Sequence, residues 1–249
     1  MKKFIRLRDL ENVVSEKVDM KNLMDEAYGF ENKGIFRAFK LVKVFKQVKH
    51  DLEIVRATDV SKIAFKECFI KKPDHIEKIT YSAMMELNGV LHKEHDIPLS
   101  EIIAKVIATT CFSENHIQDY NSETRAFKNF QNRILNSPLL EMFGLYNWIM
   151  KSFKESNDSW EEKFFSVEVE DPDYELAGGK RMAQFNVINT IKKTCKDFNR
   201  NDTEAWQMPY YMVQMNNYEA ASSAYTQSQM TMLKESKMRT ERDRQSGHN

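Results

Sequence analysis

The stretch IPLSEIIAKVIATTCF, residues 97–112, decides the fold class. Leu99, Ile102, Ile103, Val106 and Ile107 recur at i, i+3, i+4, i+7 and i+8, the spacing of one helix face. Pro98 suits a first helical turn, where a missing N–H leaves no hydrogen bond unmade. The same spacing continues on either side. In PDHIEKITYSAMMELNGV, residues 73–90, Asp74 and Glu77 stand at capping-box distance, Ile76, Ile79, Ala83 and Leu87 share a face, and Gly89 suits a C-terminal position of positive φ. In SETRAFKNFQNRILNSPLLEMFGLYNWIMKSF, residues 122–153, Phe127, Phe130 and Ile134 form one stripe. Ser137 and Pro138 then read as N-cap and first residue of a more apolar helix, and residues 139–153 are expected to be the most buried helix.

Farther along, NDSWEEKFFSVEVEDPDYELAGG, residues 157–179, is acidic, alternates Val167 and Val169 with Glu168 and Glu170, and meets Pro172 and Gly178-Gly179. It reads as an extended linker. Helix resumes over residues 180–198, where Met182, Phe185, Ile188, Ile191, Cys195 and Phe198 recur every three or four positions. NRNDTEAWQMP, residues 199–209, supplies a break, a cap at Asp202 or Thr203 and a single turn, and Pro209 opens a long last helix. The expected fold is mainly α: an irregular multi-helix protein with an acidic extended linker and a long C-terminal helix. The expected organisation is an N-terminal helical region over 1–120, a C-terminal helical domain over 121–232 and a charged, fraying tail over 233–249.

Composition narrows the function classes. The chain has 249 residues, enough to bury a working core, with 41% hydrophobic and 30% charged residues and only 7 Gly and 5 Pro. Lys+Arg and Asp+Glu balance at 37 each, so no global charge draws the protein to nucleic acid or an anionic membrane. Cys68, Cys111 and Cys195 are widely separated, which does not resemble a secreted disulfide framework. The start MKKFIRLRDLENVV meets Arg6, Arg8 and Asp9 before an apolar signal core forms, and no run approaches the roughly 18 apolar residues of a membrane span. A soluble, unexported protein is expected.

Candidate chemical sites are thin. His92, His95, Cys111 and His116 lie within 25 residues, but they form two loose pairs and no HExxH. No GxSxG elbow occurs, and Gly178-Gly179-Lys180 lacks the rest of a phosphate-binding loop. Glu168, Glu170, Asp171, Asp173 and Glu175 read as a solvated loop that suits a basic partner better than a metal ion. In GIFRAFKLVKVFKQVKH, residues 34–50, Arg37, Lys40, Lys43 and Lys46 recur every three residues, the pattern of an ordinary surface helix or of one on a nucleic acid, a membrane surface or an acidic partner. No cofactor and no catalytic or metal-binding residue is expected.

Six of the 14 methionines fall between residues 208 and 238, and methionine adapts to irregular or exchanging partners. The segment from Ser159 to Tyr225, with Trp206, Pro209, Tyr210 and Tyr218 following the Phe185 to Phe198 helix, resembles the tail and baseplate-hub assembly proteins of T4-like contractile-tailed bacteriophages, of the assembly-catalyst or tail-assembly-chaperone type. The likeness covers roughly the last 100 residues. It implies a virus-encoded, non-enzymatic late protein of the host cell cytoplasm, which binds baseplate hub proteins or another hub assembly chaperone transiently and is not kept in the virion. Met208, Tyr210, Tyr211, Met212, Met215, Tyr218 and Met230 are then the expected partner-binding residues, with no nucleic acid involved and no oligomeric state specified. The alternatives are a structural baseplate component retained in the virion and, from another class, a metal-dependent enzyme using His92, His95, His116 and the 168–175 acids.

Overall fold

The computed structural model describes residues 6–10, 70–92, 97–115, 119–167 and 185–246. Seven α-helices and two 3₁₀ turns account for most of these residues, and no strand occurs among them. The chain is a mainly α, multi-helix protein. It divides into two compact units, Met1–Lys154 and Glu155–Asn249.

In the first unit, α1 (Tyr81–His92) starts later than the capping pattern at Asp74 implies. Asp74 accepts a hydrogen bond from Lys78 Nζ at 2.9 Å, residues Ile76–Lys78 form a 3₁₀ turn, and Ile79 is extended. The actual cap is Thr80, whose Oγ1 accepts from the Ala83 N–H at 3.2 Å. Gly89 lies inside α1, its backbone outside the left-handed region, so it does not terminate the helix.

Helix α2 (Leu99–Asn115) is the centre of this unit. Ser100, Ile103, Ala104 and every residue from 106 to 112 are buried, whereas Leu99 is exposed and Ile102 half-buried. The most enclosed helix is therefore α2 and not the 139–153 segment. The cause is tertiary: α1, α3 (Arg125–Leu135) and the N-terminal 3₁₀ turn Leu7–Asp9 all pack on α2. Thr124 caps α3 by accepting from the Phe127 N–H, and α3 turns Phe127, Phe130 and Ile134 inward. Their rings meet Phe112, with centroids 5.4 Å from Phe127 and 5.9 Å from Phe130.

The N-terminus is tied down at the α3 end, where the Leu7 N–H donates to the Ser137 carbonyl at 3.1 Å. Ser137 does not cap the next helix, because its hydroxyl donates back to the Arg133 carbonyl at 2.9 Å. The Pro138 carbonyl instead accepts from Met142 and opens α4 (Leu139–Phe165).

Helix α4 runs past Phe153 through residues expected to be linker. Phe153, Ser156 and Trp160 recur at helical spacing on its buried side, so the acids of residues 157–163 are the solvent side of a helix. The division between units falls within α4. Residues 168–184, with the acids Glu168 to Glu175 and Gly178-Gly179, lie outside the described residues, as does the basic 34–50 segment.

The second unit continues with α5 (Asn186–Phe198), α6 (Asp202–Trp206) and α7 (Tyr210–Ser246). Helix α5 ends at Asn199, which adopts the left-handed conformation (φ 50°), and the Arg200 N–H returns to the Cys195 carbonyl at 2.9 Å. The cap of α6 is Asn201, one residue before the expected Asp202 or Thr203. Its Oδ1 accepts from the Glu204 N–H at 2.9 Å while Glu204 accepts from the Asn201 N–H. The Pro209 carbonyl accepts from Met212 and starts α7, whose 37 residues extend about 55 Å at about 1.5 Å each.

Candidate partner-binding surface

The two units treat their apolar side chains differently. Among the described residues, 32 hydrophobics are buried, 27 in Met1–Lys154 and 5 in Glu155–Asn249: Trp160, Ile191, Ala205, Tyr210 and Val213. Exposed large hydrophobics show the reverse distribution. Among the described residues, the first unit exposes Ile97 and Leu99, whereas the second exposes Phe165, Phe185, Val187, Ile188, Phe198, Tyr211, Met215, Met230, Met232, Leu233 and Met238. Scattered single hydrophobics need no explanation, but this many exposed in one unit is unusual.

The local reason is visible between α5 and α7. Ile191, Thr194 and Val213 are buried, but the links between the two helices are polar. Lys193 Nζ donates to Asp197 at 2.6 Å and to the Asn216 carbonyl at 3.1 Å, and Asn217 donates to Thr190 Oγ1 at 3.4 Å. The hydrogen bond from Lys193 holds the exposed Asp197 carboxyl below its usual range. This polar seam does not enclose the stripe on either side, and Phe185, Ile188 and Phe198 stay exposed. The stripe with helical spacing exists as expected, yet only Ile191 of its described members is fully buried.

The residues expected to bind a partner separate by environment. Tyr210 belongs to the core: it is buried and its hydroxyl accepts from Gln214 Nε2 at 2.8 Å. Tyr210 is the first residue of α7, directly after the turn at Pro209, and its burial takes it out of the exposed set. Tyr218 is half-buried, its ring edge-on to Phe164 with centroids 6.0 Å apart. Met208 and Met212 are half-buried; Tyr211, Met215 and Met230 are exposed. Trp206 is half-buried. The residues missed by sequence reasoning are Phe185, Val187, Ile188 and Phe198, taken with the α5 stripe. A signal for them was present: the part of α7 that hydrogen-bonds α5 carries Asn216 and Asn217, small polar residues that cannot cover a large apolar stripe.

Two polar constellations could be mistaken for chemistry. Tyr120 donates to Glu86 Oε2 at 2.6 Å and sits 3.4 Å from Thr109 Oγ1, while Lys105 Nζ lies 3.2 Å from Glu86 Oε1. Burial opposes ionisation of Glu86, but hydrogen bonds from Tyr120, Ser122 and Lys105 outweigh it and keep the carboxyl below its ordinary range. Burial and the neighbouring carboxylate push the Tyr120 phenol upward. Both effects fix the proton on Tyr120 and the charge on Glu86, the states of a pin between α1, α2 and the start of α3. In the second unit, desolvation and Asp202, 3.3 Å from Cys195 Sγ, push the Cys195 thiol up and away from the thiolate.

Cys111 is enclosed in α2, the His92 side chain, His95 and His116 lie outside the described residues, and no group of three potential metal ligands occurs among the described residues. No described helix is long and apolar enough to cross a membrane. Comparison with protein-family models, characterised proteins and solved structures finds no match to this chain.

Proposed function

We propose that the protein works by contact and not by chemistry, as an assembly factor whose second unit covers apolar surface on an unassembled protein subunit. The observation that carries this reading is the uneven apolar exposure among the described residues: 11 of their 13 exposed large hydrophobics lie in Glu155–Asn249, and 27 of their 32 buried hydrophobics lie in Met1–Lys154. The client surface comprises Phe185 and Ile188 of α5 with Tyr211, Met215 and Met230 of α7. Adaptable methionines and a polar seam suit moderate, exchangeable affinity, which an assembly factor needs because its release rate must allow the correct neighbour to replace it.

The resemblance to baseplate-hub assembly proteins of T4-like phages names the client class: hub subunits, or a second hub chaperone, in the host cytoplasm. The test is co-expression with hub subunits, comparing the full chain, a chain truncated before Thr203 and the Phe185→Ser/Ile188→Ser variant. The expected result is a complex or a gain in hub solubility with the full chain and its loss in both altered forms. No complex and no change in assembly would remove the reading. Mass spectrometry of purified particles would find the protein absent, and finding it at stoichiometric level would make it a structural component instead.

A further inference from the structure

The outward side of α7 has an order that a client surface does not require. From Tyr210 to Leu233, 24 residues, the helix carries a single charged residue, Glu219; the next 11 residues carry eight charges. A soluble surface ordinarily holds charge at about a quarter to a third of positions. Loss of charge together with enrichment in Met and Tyr is the signature of the covered centre of an interface.

Within this stretch, Met212, Met215, Glu219, Ser222, Ser223, Thr226, Met230 and Leu233 fall in a sector of about 100°, at about 100° per residue. Val213, fully enclosed, points to the opposite side. Met215, Met230 and Leu233 are 44%, 52% and 61% exposed. The sector is also a near-palindrome about the midpoint between Ser222 and Ser223, the Glu219 and Thr226 pair alone being unlike. Met212 and Leu233 are equidistant from it, as are Met215 and Met230, and Glu219 and Thr226.

We infer that this side of α7 pairs, two-fold and antiparallel, with α7 of a second copy of the chain. A two-fold interface uses the same patch on both subunits, so residue i meets j while j meets i. The near-palindrome meets that condition, whereas an unrelated partner imposes none. Antiparallel pairing sets Met212 level with Leu233 and Met215 level with Met230, two apolar layers on each side of the axis. The small Ser222 and Ser223 at the axis let the helices approach to about 8–10 Å. Glu219 faces Thr226, so no like charges oppose each other within the seam, and the charged run from Lys234 onward lies beyond it. The pairing stands on α7 alone and not on the assembly reading; a client that needs Met215 or Met230 competes with the second copy.

Sedimentation equilibrium of the full chain without any client tests the pairing. The expected mass is twice the 29.4 kDa of one chain. Met215→Glu and Met230→Lys, both at exposed positions, each weaken the dimer at least tenfold while circular dichroism shows unchanged helicity. Mixing the two variant proteins restores it, because the altered positions face each other only in the antiparallel register. A monomer at micromolar concentration, a dimer indifferent to both substitutions, or no recovery on mixing would each overturn the proposal. None of these outcomes bears on whether hub subunits bind.

Discussion

The same substitution, Phe→Ala, is expected to have opposite consequences in the two units. Phe112 is fully enclosed, with its ring against Phe127 and Phe130 at 5.4 and 5.9 Å. Removing it forfeits the transfer free energy of the ring and leaves a cavity that α1, α3 and the Leu7–Asp9 turn cannot all close, a loss of about 3–5 kcal/mol. Domains of this size are stable by about 5–15 kcal/mol, so the variant gives up about a fifth or more of its margin. With a urea slope of about 2 kcal/mol/M, the unfolding midpoint falls by roughly 2 M. Phe112→Leu keeps most of the apolar volume and costs under about 1.5 kcal/mol. Phe185, 41% exposed on α5, leaves no cavity when shortened, and its loss changes stability by less than about 0.5 kcal/mol. Its cost appears in client binding. Urea titration followed by far-ultraviolet circular dichroism, beside a pull-down of hub subunits, measures both. If Phe112→Ala cost less than about 1 kcal/mol, or Phe185→Ala destabilised by more than about 2 kcal/mol, the contrast between an enclosed and a contact-making unit would be refuted.

Gly89→Ala should stabilise the first unit by about 0.5–1 kcal/mol, because Gly89 is inside α1 and a Cβ there meets nothing within 4 Å; a lower thermal midpoint would show that the helix ends at this residue after all. Asn201→Ala removes half of the reciprocal cap of α6 and should cost about 1 kcal/mol, read by the same denaturation, with Asn201→Asp as the conservative control. Glu86 is ionised more readily in the folded chain than in the unfolded one, so its contribution is complete above the ordinary Glu range and disappears as pH falls through its lowered value. The thermal midpoint should therefore drop as pH falls below the ordinary Glu range, and Glu86→Gln should lower it near neutrality and flatten that acid limb. An unchanged acid limb in the variant would assign the pH dependence to other carboxylates.

Helix identity was largely legible because its determinants are local. The 99–107 spacing, the Phe127, Phe130 and Ile134 stripe and Pro209 at the head of α7 each act through residues within a turn or two. Errors gathered at ends and at burial. Asp74 lost its capping role to an ion pair with Lys78, Ser137 turned back to Arg133, and the acids of 157–163 became the wet side of α4 because Trp160 is buried beneath them. Each outcome is set by a contact that the spacing pattern does not contain. Among the residues proposed for partner contact, Tyr211, Met215 and Met230 are exposed while Tyr210 is buried, and the exposed part of α5 is not distinguished by its spacing from a core stripe.

What the sequence by itself determined is where helices form and which side chains line up on them, since period, caps and breakers are written within single segments. Which stripes are enclosed was decided only in three dimensions. Phe127, Phe130 and Ile134 on α3 and Phe185, Ile188 and Phe198 on α5 look alike as sequence, three apolar residues at helical spacing. The first set meets the Phe112 side of α2 and is buried; the second is exposed, α7 joining α5 through Asn, Thr and Lys. Burial requires a matching surface from elsewhere in the chain, and spacing along one helix carries no information about whether that surface exists.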